Sequence, residues 1–312
     1  MTATYGLWLT FCLIMLVMLA IDLGVNRTGR VVRMREAAGW SLAWLVLALL
    51  FGASIWWVRG PRPALEFLTG YLIEQSLSVD NLFVFIMVFA LFGVKERLQA
   101  RVLKWGILGA VVLRLVVILV GTTLVRNMTW LFYLFGAILL YTAGKMAFGA
   151  DAELEPDKNP LVRLVRRLLP MTRRIHGDWF FARRLGLWIA SPLFMTLLVI
   201  ESSDLVFAMD SIPAIFAITL DPFIVLTSNL FAIMGLRSLF FLLANLMGMF
   251  AWLKYGIALV LAFVGVKMIL MMLGLQIPIA WSLAVIATTL AASVPLSLLF
   301  GTTKDEAALE TT

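Results

Sequence analysis

Nine apolar stretches, each long enough to cross a lipid bilayer, determine what this chain can fold into. They occupy approximately residues 5–25, 40–58, 65–92, 102–124, 130–148, 187–218, 222–247, 252–273 and 277–300. An α-helix needs about 20 apolar residues to span the hydrocarbon core. With 62% hydrophobic and 14% charged residues, the chain has the composition of a polytopic membrane protein. The sequence therefore predicts an all-α membrane bundle of about nine helices.

Positive charge is concentrated on one side of this predicted bundle. The loops after the first, third, fifth and seventh stretches and the C-terminal tail carry most lysines and arginines, whereas the opposite side carries only Arg59, Arg62 and Arg126. Cytoplasmic loops are enriched in such residues. This pattern predicts an external N-terminus and a cytoplasmic C-terminus. Basic cytoplasmic loops of a protein embedded in the lipid bilayer also account for the net charge of +7. No nucleic-acid partner is needed to explain it.

Five carboxylates lie inside two of the apolar stretches. Glu74 and Asp80 belong to the third stretch, and Glu201, Asp204 and Asp210 belong to the sixth. A carboxylate at the centre of a bilayer costs about 2.5 to 3.5 kcal/mol. Carboxylates that are present in a membrane span despite this free-energy cost indicate a binding site. We expect all five to be ligands of a metal cation.

The third to fifth stretches resemble the sixth to eighth. The matching segments are 130–146 with 252–268, 106–114 with 229–237, and Glu74 and Asp80 with Asp204 and Asp210. Because each unit contains an odd number of spans, the second copy must enter the membrane in the opposite direction. Such inverted repeats are typical of transporters, with the site near the midplane between the copies.

The repeat divides the chain into five predicted parts. They are two N-terminal transmembrane helices at 1–64, a first transport repeat at 65–148, a cytoplasmic basic loop at 149–186, a second repeat at 187–273, and a last helix with a cytoplasmic tail at 274–312. Within the loop, apolar residues recur at helical spacing beside arginines over 161–169. This pattern predicts a helix on the inner leaflet.

The geometry of the two acidic spans determines which acids can meet. If these helices run antiparallel about a two-fold axis, Glu74 comes level with Asp210, and Asp80 comes level with Asp204. The acids then form two layers of carboxylate pairs, and Glu201, one turn from Asp204, adds a further oxygen to the layer that contains Asp80 and Asp204. A proline three residues after Asp210 is expected to unwind the helix there, and Gly70 is a second place where a helix can break.

Neutral oxygen donors surround the acids in the sequence. Asn81, Ser211 and Asn229 are candidate neutral ligands at the same depth as the carboxylates. Further hydroxyls at this depth belong to Ser76, Ser78, Ser202 and Ser203. Serines are also ordinary packing residues between membrane helices, so only a minority of these hydroxyls are expected to contact an ion.

Two arginines also lie within the apolar stretches. Arg114 and Arg237 are expected to balance charge by pairing with the acids when no ion is bound. Five negative charges less two positive charges leave three, one more than a divalent ion neutralises. A proton could balance the remainder, which makes proton-coupled exchange an expectation. Alternatively, the acids and arginines form a salt-bridge network that only locks the bundle.

Asp22 lies near the cytoplasmic end of the first stretch. The sequence supports two interpretations of this acid equally. It is either a cytoplasmic gate for the ion or an interfacial residue paired with Arg27 or Arg30.

The types of ligand atom available in the membrane spans restrict which metal ion the protein can transport. The only cysteine, Cys12, lies in the first stretch, and the only histidine, His176, lies in a loop. Oxygen donors without thiolate or imidazole suit calcium, magnesium or manganese. A thioether from Met209, beside Asp210, would favour manganese, although such residues are more often core. No resident cofactor is expected, and the sequence makes no prediction of the oligomeric state.

Two other classes of protein are compatible with intramembrane acids. Paired aspartates could form the dyad of a membrane protease, but five acids and a repeat exceed what a dyad requires. We therefore expect no enzymatic activity. A non-transporting factor that assembles other membrane proteins is the second alternative.

Two acidic motifs resemble the signatures of the TerC family. They are EQSLSVDN at 74–81 and ESSDLVFAMDSIPA at 201–214, and the similarity extends through DPF at 221–223, TSNLFAIMGLR at 227–237 and AIDL at 20–23. The sequence is most similar to the Alx branch of this family. The resemblance covers almost the whole chain.

The resemblance implies a bacterial inner-membrane protein that exports manganese, with the five acids as ligands of the ion. A calcium or magnesium exchanger using the same acids is the alternative cargo assignment. The family is also associated with tellurite resistance and alkaline pH. An oxyanion such as tellurite would need arginines and helix N-termini rather than carboxylates, so we expect a cation.

Overall fold

A computed structural model describes residues 2–25, 34–128, 130–148, 179–184, 187–244 and 253–300. Within these ranges the chain forms helices and one short hairpin. They are α1 (Thr2–Val25), α2 (Met34–Arg59), α3 (Pro61–Leu91), α4 (Glu96–Asn127), α5 (Leu131–Phe148), β1 (Phe181–Arg184), β2 (Leu187–Ala190), α6 (Pro192–Phe216), α7 (Pro222–Met234), α8 (Leu236–Ala244), α9 (Leu253–Met272) and α10 (Ile279–Phe300). The predicted interfacial helix at 161–169 and the C-terminal tail lie outside the described residues.

Six of the described helices are long and apolar enough to cross a membrane, namely α2, α3, α4, α5, α6 and α9. A seventh span results if α7 and α8, which meet at a bend of 42°, are counted as one. The apolar segments Tyr5–Ile21 and Ile279–Ser293, within α1 and α10, are shorter. The structure therefore confirms an all-α polytopic membrane protein, and the count of nine spans stays a prediction.

The sixth apolar stretch begins differently from its prediction as one helix from residue 187. Leu187–Ala190 forms strand β2, which pairs antiparallel with β1. Helix α6 starts only after Ser191, whose hydroxyl accepts a hydrogen bond from the backbone N–H of Phe194 at 3.4 Å. Pro192 occupies the first helical position, where its missing N–H costs nothing. These two residues shorten the predicted span.

The seventh stretch, predicted as one helix over 222–247, contains two helices. Asp221 caps the start of α7 by accepting a hydrogen bond from the N–H of Phe223 at 3.0 Å. Helix α7 ends at Met234, and α8 continues after Gly235 in a new direction. Glycine is a poor helix former, which explains why the break falls at this residue.

Neither predicted break in the two acidic helices is present. Helix α3 runs without interruption through Gly70, and α6 runs through Pro213 to Phe216. A Cβ atom at Gly70 would lie 2.9 Å from the hydroxyl of Ser228, so this glycine allows α3 and α7 to pack closely. Pro213 is near the end of α6, where the helix loses only the N–H that would bond the carbonyl four residues earlier.

Helix α3 occupies the centre of the bundle, where it packs against α2, α6, α7 and α10. On one side, a cluster of buried aromatic rings joins it to α2 and α7. The rings of Phe51 and Phe231 lie 4.9 Å apart, and Phe67 meets Phe231 edge-on at 5.9 Å. Further along the same helix, Asn81 contacts Asp204 of α6.

Helices α5 and α9 form the most extensive helix pair and cross at two glycines. A Cβ atom at Gly136 would lie 3.1 Å from the carbonyl oxygen of Gly265, and a Cβ atom at Gly265 would lie 3.0 Å from the carbonyl oxygen of Gly136. The backbones can therefore approach closely only because both side chains are absent. Small residues at such crossings are typical of membrane helices.

We predict that Gly136→Ala destabilises the protein by about 1–3 kcal/mol, because its methyl group would also lie 2.9 Å from Ile269. Gly144→Ala in the same helix is the matched control, since no atom lies within 4 Å of its Cβ position. The measurement is thermal unfolding in detergent micelles. Equal unfolding midpoints for the two variants would show that the α5–α9 crossing is looser than described.

Candidate functional site

A fully buried polar cluster lies between α3, α4, α6 and α7. We call it the central cluster, and its members are Glu74, Asn81, Arg114, Asp204, Ser211 and Asn229. Each of these residues is at most 2% exposed. A buried charge without a partner costs several kcal/mol. The contacts within this cluster therefore determine whether its charges are compensated.

Arg114 of α4 is the centre of the cluster. Its guanidinium forms ion pairs with Glu74 and with Asp204, the latter through Nη2 and Oδ1 at 3.3 Å. Nη1 donates hydrogen bonds to Ser211 Oγ at 3.4 Å and to Asn229 Oδ1 at 3.3 Å. One guanidinium thus contacts side chains from three other helices, which is the arrangement expected of a charge-balancing arginine.

The two asparagines complete the shells of the carboxylates. Asn229 Nδ2 donates to Glu74 Oε2 at 2.9 Å, and Asn81 Nδ2 lies 3.5 Å from Asp204 Oδ1. Each carboxylate therefore accepts from the guanidinium and from an amide. With two negative charges and one positive charge, the cluster has a formal charge of one negative unit.

The antiparallel packing of α3 and α6 sets the relative heights of these groups. Gly70 lies beside Ile215 at one end, and Asn81 contacts Asp204 further along. Between these contacts, Glu74 lies at the level of Asp210 and Ser211. The packing of the two helices is consistent with the predicted level of Glu74 beside Asp210, and the pairing of Asp80 with Asp204 stays a prediction.

The direction of Asp210 differs from the prediction. Ser211, rather than Asp210, faces the central cluster, and adjacent residues of a helix point about 100° apart. The Asp210 carboxylate instead accepts a hydrogen bond from Thr142 of α5 at 3.1 Å, and Lys145 acts on it electrostatically. The predicted pairing of Glu74 with Asp210 is therefore wrong for the described arrangement.

Glu201 lies beside α4, outside the hydrogen bonds of the central cluster. Its carboxylate covers Gly109 so closely that a Cβ atom at this position would collide with it. The same carboxylate lines an otherwise apolar groove with Trp105 and Leu205. Within the described residues it makes no hydrogen bond or ion pair. Glu201 is therefore a carboxylate without a described cationic partner, one helical turn from Asp204.

The serines near the acids fall into two groups. Ser76 donates to the carbonyl of Leu72 at 2.6 Å, and Ser202 and Ser203 both donate to the carbonyl of Val199. These hydroxyl protons are used within their own helices. Ser78 is different, because its fully buried hydroxyl has no hydrogen-bond partner within the described part of the chain.

The position of Ser78 in α3 suggests what its unpartnered hydroxyl oxygen could bind. It lies four residues after Glu74 and three before Asn81, so all three share one face of α3. Buried polar atoms normally have a partner, and one without a partner needs an explanation. A buried hydroxyl oxygen without a partner, on the same helix face as the Glu74 carboxylate, is suited to bind a cation.

The remaining candidate residues are only partly described. Asp22 lies in α1 and Asp80 lies in α3, but both side chains fall outside the described atoms. Arg237 is buried in α8, directly after the bend at Gly235. Among the side chains that the structure does describe, no group of three or more acidic, histidine or cysteine residues is close enough to hold a metal ion.

Two contributors to the site were missed by sequence reasoning. Thr142 orients Asp210, and Gly109 makes room for the Glu201 carboxylate. Gly109 lies inside the repeated segment 106–114, and Thr142 lies three residues before Lys145. Neither position carries a chemical signal that separates it from ordinary packing residues.

We predict that Asn229→Leu destabilises the protein by about 1–3 kcal/mol, because it leaves the buried Glu74 Oε2 without its amide donor. Thr227→Val is a control in the same helix, since the Thr227 hydroxyl only donates to backbone carbonyls of α7. Both variants are compared by thermal unfolding in micelles. A loss for Thr227→Val as large as that for Asn229→Leu would contradict this assignment.

Comparison with known proteins gives consistent results over most of the chain. Residues 59–306 match the family model described as "Integral membrane protein TerC family". The chain is 49% identical over 295 residues to "Uncharacterized membrane protein STKORF319" of Myxococcus xanthus, covering 94% of this chain and 92% of that protein. No solved structure matches.

Two further relatives carry more specific names. "Putative membrane-bound redox modulator Alx" of Escherichia coli (strain K12) is 50% identical over 291 residues, covering 90% of each chain. "Thylakoid membrane protein TERC, chloroplastic" of Arabidopsis thaliana is 46% identical over 251 residues, covering 80% of this chain and 65% of that protein. The similarity thus extends from bacteria to a plant.

Proposed function

Because the chain belongs to the TerC family of integral membrane proteins, we propose that it transports a divalent metal cation across the membrane. The observation that carries this proposal is the central cluster, in which carboxylate, amide and hydroxyl oxygens from three helices converge on one buried point. Oxygen donors of this kind are preferred by hard divalent cations. The proposed cargo is manganese, exported from the cytoplasm.

We assign the ligands in two groups. Glu74 and Asp204 are the proposed charged ligands of the ion, because both already face a cationic group in the central cluster. The proposed neutral ligands are Asn81, Ser211 and Asn229, with Ser78 added by its free hydroxyl. Asp80 and Asp210 stay proposed ligands of the ion. Glu201, one helical turn before Asp204, is proposed either to bind the ion directly or to act beside it.

The proposed transport mechanism uses two inverted repeats. Each helix of the first repeat packs against its predicted counterpart in the second: α3 against α6, α4 against α7, and α5 against α9. Contact between counterparts is expected for units related by a two-fold axis. Movement of one repeat against the other would expose the ion first to one side and then to the other.

The proposed location is the bacterial inner membrane, with the N-terminus outside and the C-terminus in the cytoplasm. The same orientation places the junction of α2 and α3 outside. There, Arg59 pairs with Asp221 at 2.5 Å and lies over the ring of Phe223. This pair would join the external ends of α2 and α7.

Flux in reconstituted vesicles tests the function. Purified protein is incorporated into liposomes that contain a metal-sensitive dye, and manganese, calcium and magnesium are added separately. Protein-dependent manganese flux that is absent from empty liposomes is the expected result. Flux of calcium or magnesium without flux of manganese would show that the protein transports one of these ions instead. Absence of flux for all three ions would contradict transport and favour an assembly factor.

A further inference from the structure

We propose that Arg114 is an internal substitute for the transported cation: its guanidinium occupies the ion site of the empty protein, and a metal ion binds by displacing it. This inference rests on the proposed transport function and adds how the charge of the buried carboxylates is balanced when no metal ion is bound. It also assigns a role to Arg114 that differs from that of a permanent structural ion pair.

The contacts of the guanidinium are the first argument. It touches Glu74, Asp204, Ser211 and Asn229, all of which are proposed ligands of the ion. The side chain is fully buried. A metal ion bound to these four residues would have to occupy the same space as the guanidinium.

Charge gives the second argument. The two carboxylates carry two negative charges, which one divalent ion neutralises completely. Arg114 alone leaves one negative charge, whereas a divalent ion together with Arg114 would leave one positive charge in a buried site. Because uncompensated buried charge is unfavourable, the two cations are expected to exclude each other.

The third argument concerns the return of the empty transporter. After the ion leaves, Glu74 and Asp204 would remain as unpaired carboxylates in the membrane, and such groups are costly. Arg114 can re-enter the site because it is attached to α4. The empty protein can then change its orientation without a second metal ion.

A displaced guanidinium needs another acceptor, and Glu201 is suited to this role. It has no hydrogen bond or ion pair within the described residues, and it lies one turn before Asp204 on α6. Its carboxylate already lies against α4, the helix that carries Arg114. With the ion on Glu74 and Asp204 and the guanidinium on Glu201, the formal charges sum to zero.

Binding measurements on three proteins test the inference. Manganese chloride is titrated calorimetrically into the wild type, Arg114→Lys and Arg114→Gln. We expect Arg114→Gln to bind manganese at least tenfold more tightly than the wild type, because its competitor is gone. Arg114→Lys should fall between them, since an ammonium group lacks the forked contacts of a guanidinium and competes less well.

Transport separates this role from a purely structural one. In proteoliposomes, Arg114→Gln should still exchange manganese for manganese, because the metal ion still neutralises Glu74 and Asp204. Its net flux, which requires return of the empty protein, should fall at least tenfold. Arg114→Lys keeps a cation and should retain net flux. A parallel loss of exchange and net flux in Arg114→Gln would overturn the inference.

If Arg114→Gln does not fold, Arg114→Lys alone tests whether the side chain at position 114 competes with the metal ion. Manganese affinity that is unchanged or weaker in Arg114→Lys would overturn the inference. Failure of the proposed transport function would be seen separately, as the absence of metal flux in wild-type vesicles.

The Glu201 step has its own test. Glu201→Gln should weaken manganese binding in the wild-type background, because the displaced guanidinium loses its acceptor. It should have no effect on binding in the Arg114→Gln background. An equal loss in both backgrounds would make Glu201 a direct ligand and overturn this step.

Discussion

Replacing Glu74 by glutamine should reduce the initial rate of manganese flux in proteoliposomes by about tenfold to a hundredfold. Glu74 is fully buried in the central cluster and supplies one of its two described negative charges. Interactions with a charged group contribute about 1.5–3 kcal/mol, and each 1.4 kcal/mol corresponds to about a factor of ten. The variant keeps the shape of the side chain, so the change tests the charge.

Glu66→Gln is the matched control for this prediction. Glu66 lies about two turns earlier on the same helix and is also buried, but it pairs with Arg62 at 3.2 Å rather than with the central cluster. We expect its flux to stay within about twofold of the wild type, as for an ion pair with an exposed partner. Similar losses in both variants would mean that the flux depends on acidic residues of α3 in general.

Arg114→Gln should lower the free energy of unfolding of the metal-free protein by about 3–5 kcal/mol. The substitution leaves Glu74 and Asp204 buried without a cation, and breaking a buried pair from one side has a cost of this size. Unfolding in mixed micelles measures the loss. Arg59→Gln is the control, because the side chains of the Arg59–Asp221 pair are 26% and 27% exposed, and we expect about 0–1 kcal/mol.

A second substitution shows whether the loss arises from the uncompensated charge. Glu74→Gln added to Arg114→Gln removes one of the two unpaired carboxylates. The double variant should therefore be more stable than Arg114→Gln alone. If the two losses simply add, the guanidinium and the carboxylate do not act as a pair, and the contacts described for the central cluster are wrong.

The backbone arrangement of the acidic helices could be predicted from the sequence because it depends on length, hydropathy and spacing. The predicted repeat implied antiparallel packing of α3 and α6, and in the described packing Glu74 lies at the level of Asp210. The direction of each side chain could not be predicted in the same way. A rotation of about 100° separates Asp210 from Ser211, and spacing alone does not decide which of the two faces α3.

Local features account for the other differences. The hairpin before α6 replaces a predicted helical segment, because Ser191 and Pro192 together form a strong helix start. The bend at Gly235 divides a stretch that is apolar throughout, so hydropathy gave no sign of it. Glu201 lies against α4 because Gly109 leaves space there, and such a contact depends on which helices are neighbours in the bundle.

Anomalous X-ray diffraction at the manganese absorption edge, from crystals grown with manganese, tests the central claim most directly. The predicted result is one strong anomalous peak between α3 and α6, within bonding distance of Glu74 and Asp204, with the Arg114 guanidinium moved away from both carboxylates. A map without a peak there, in which Arg114 still bridges Glu74 and Asp204 at saturating manganese, would contradict the proposal that this cluster binds the transported ion.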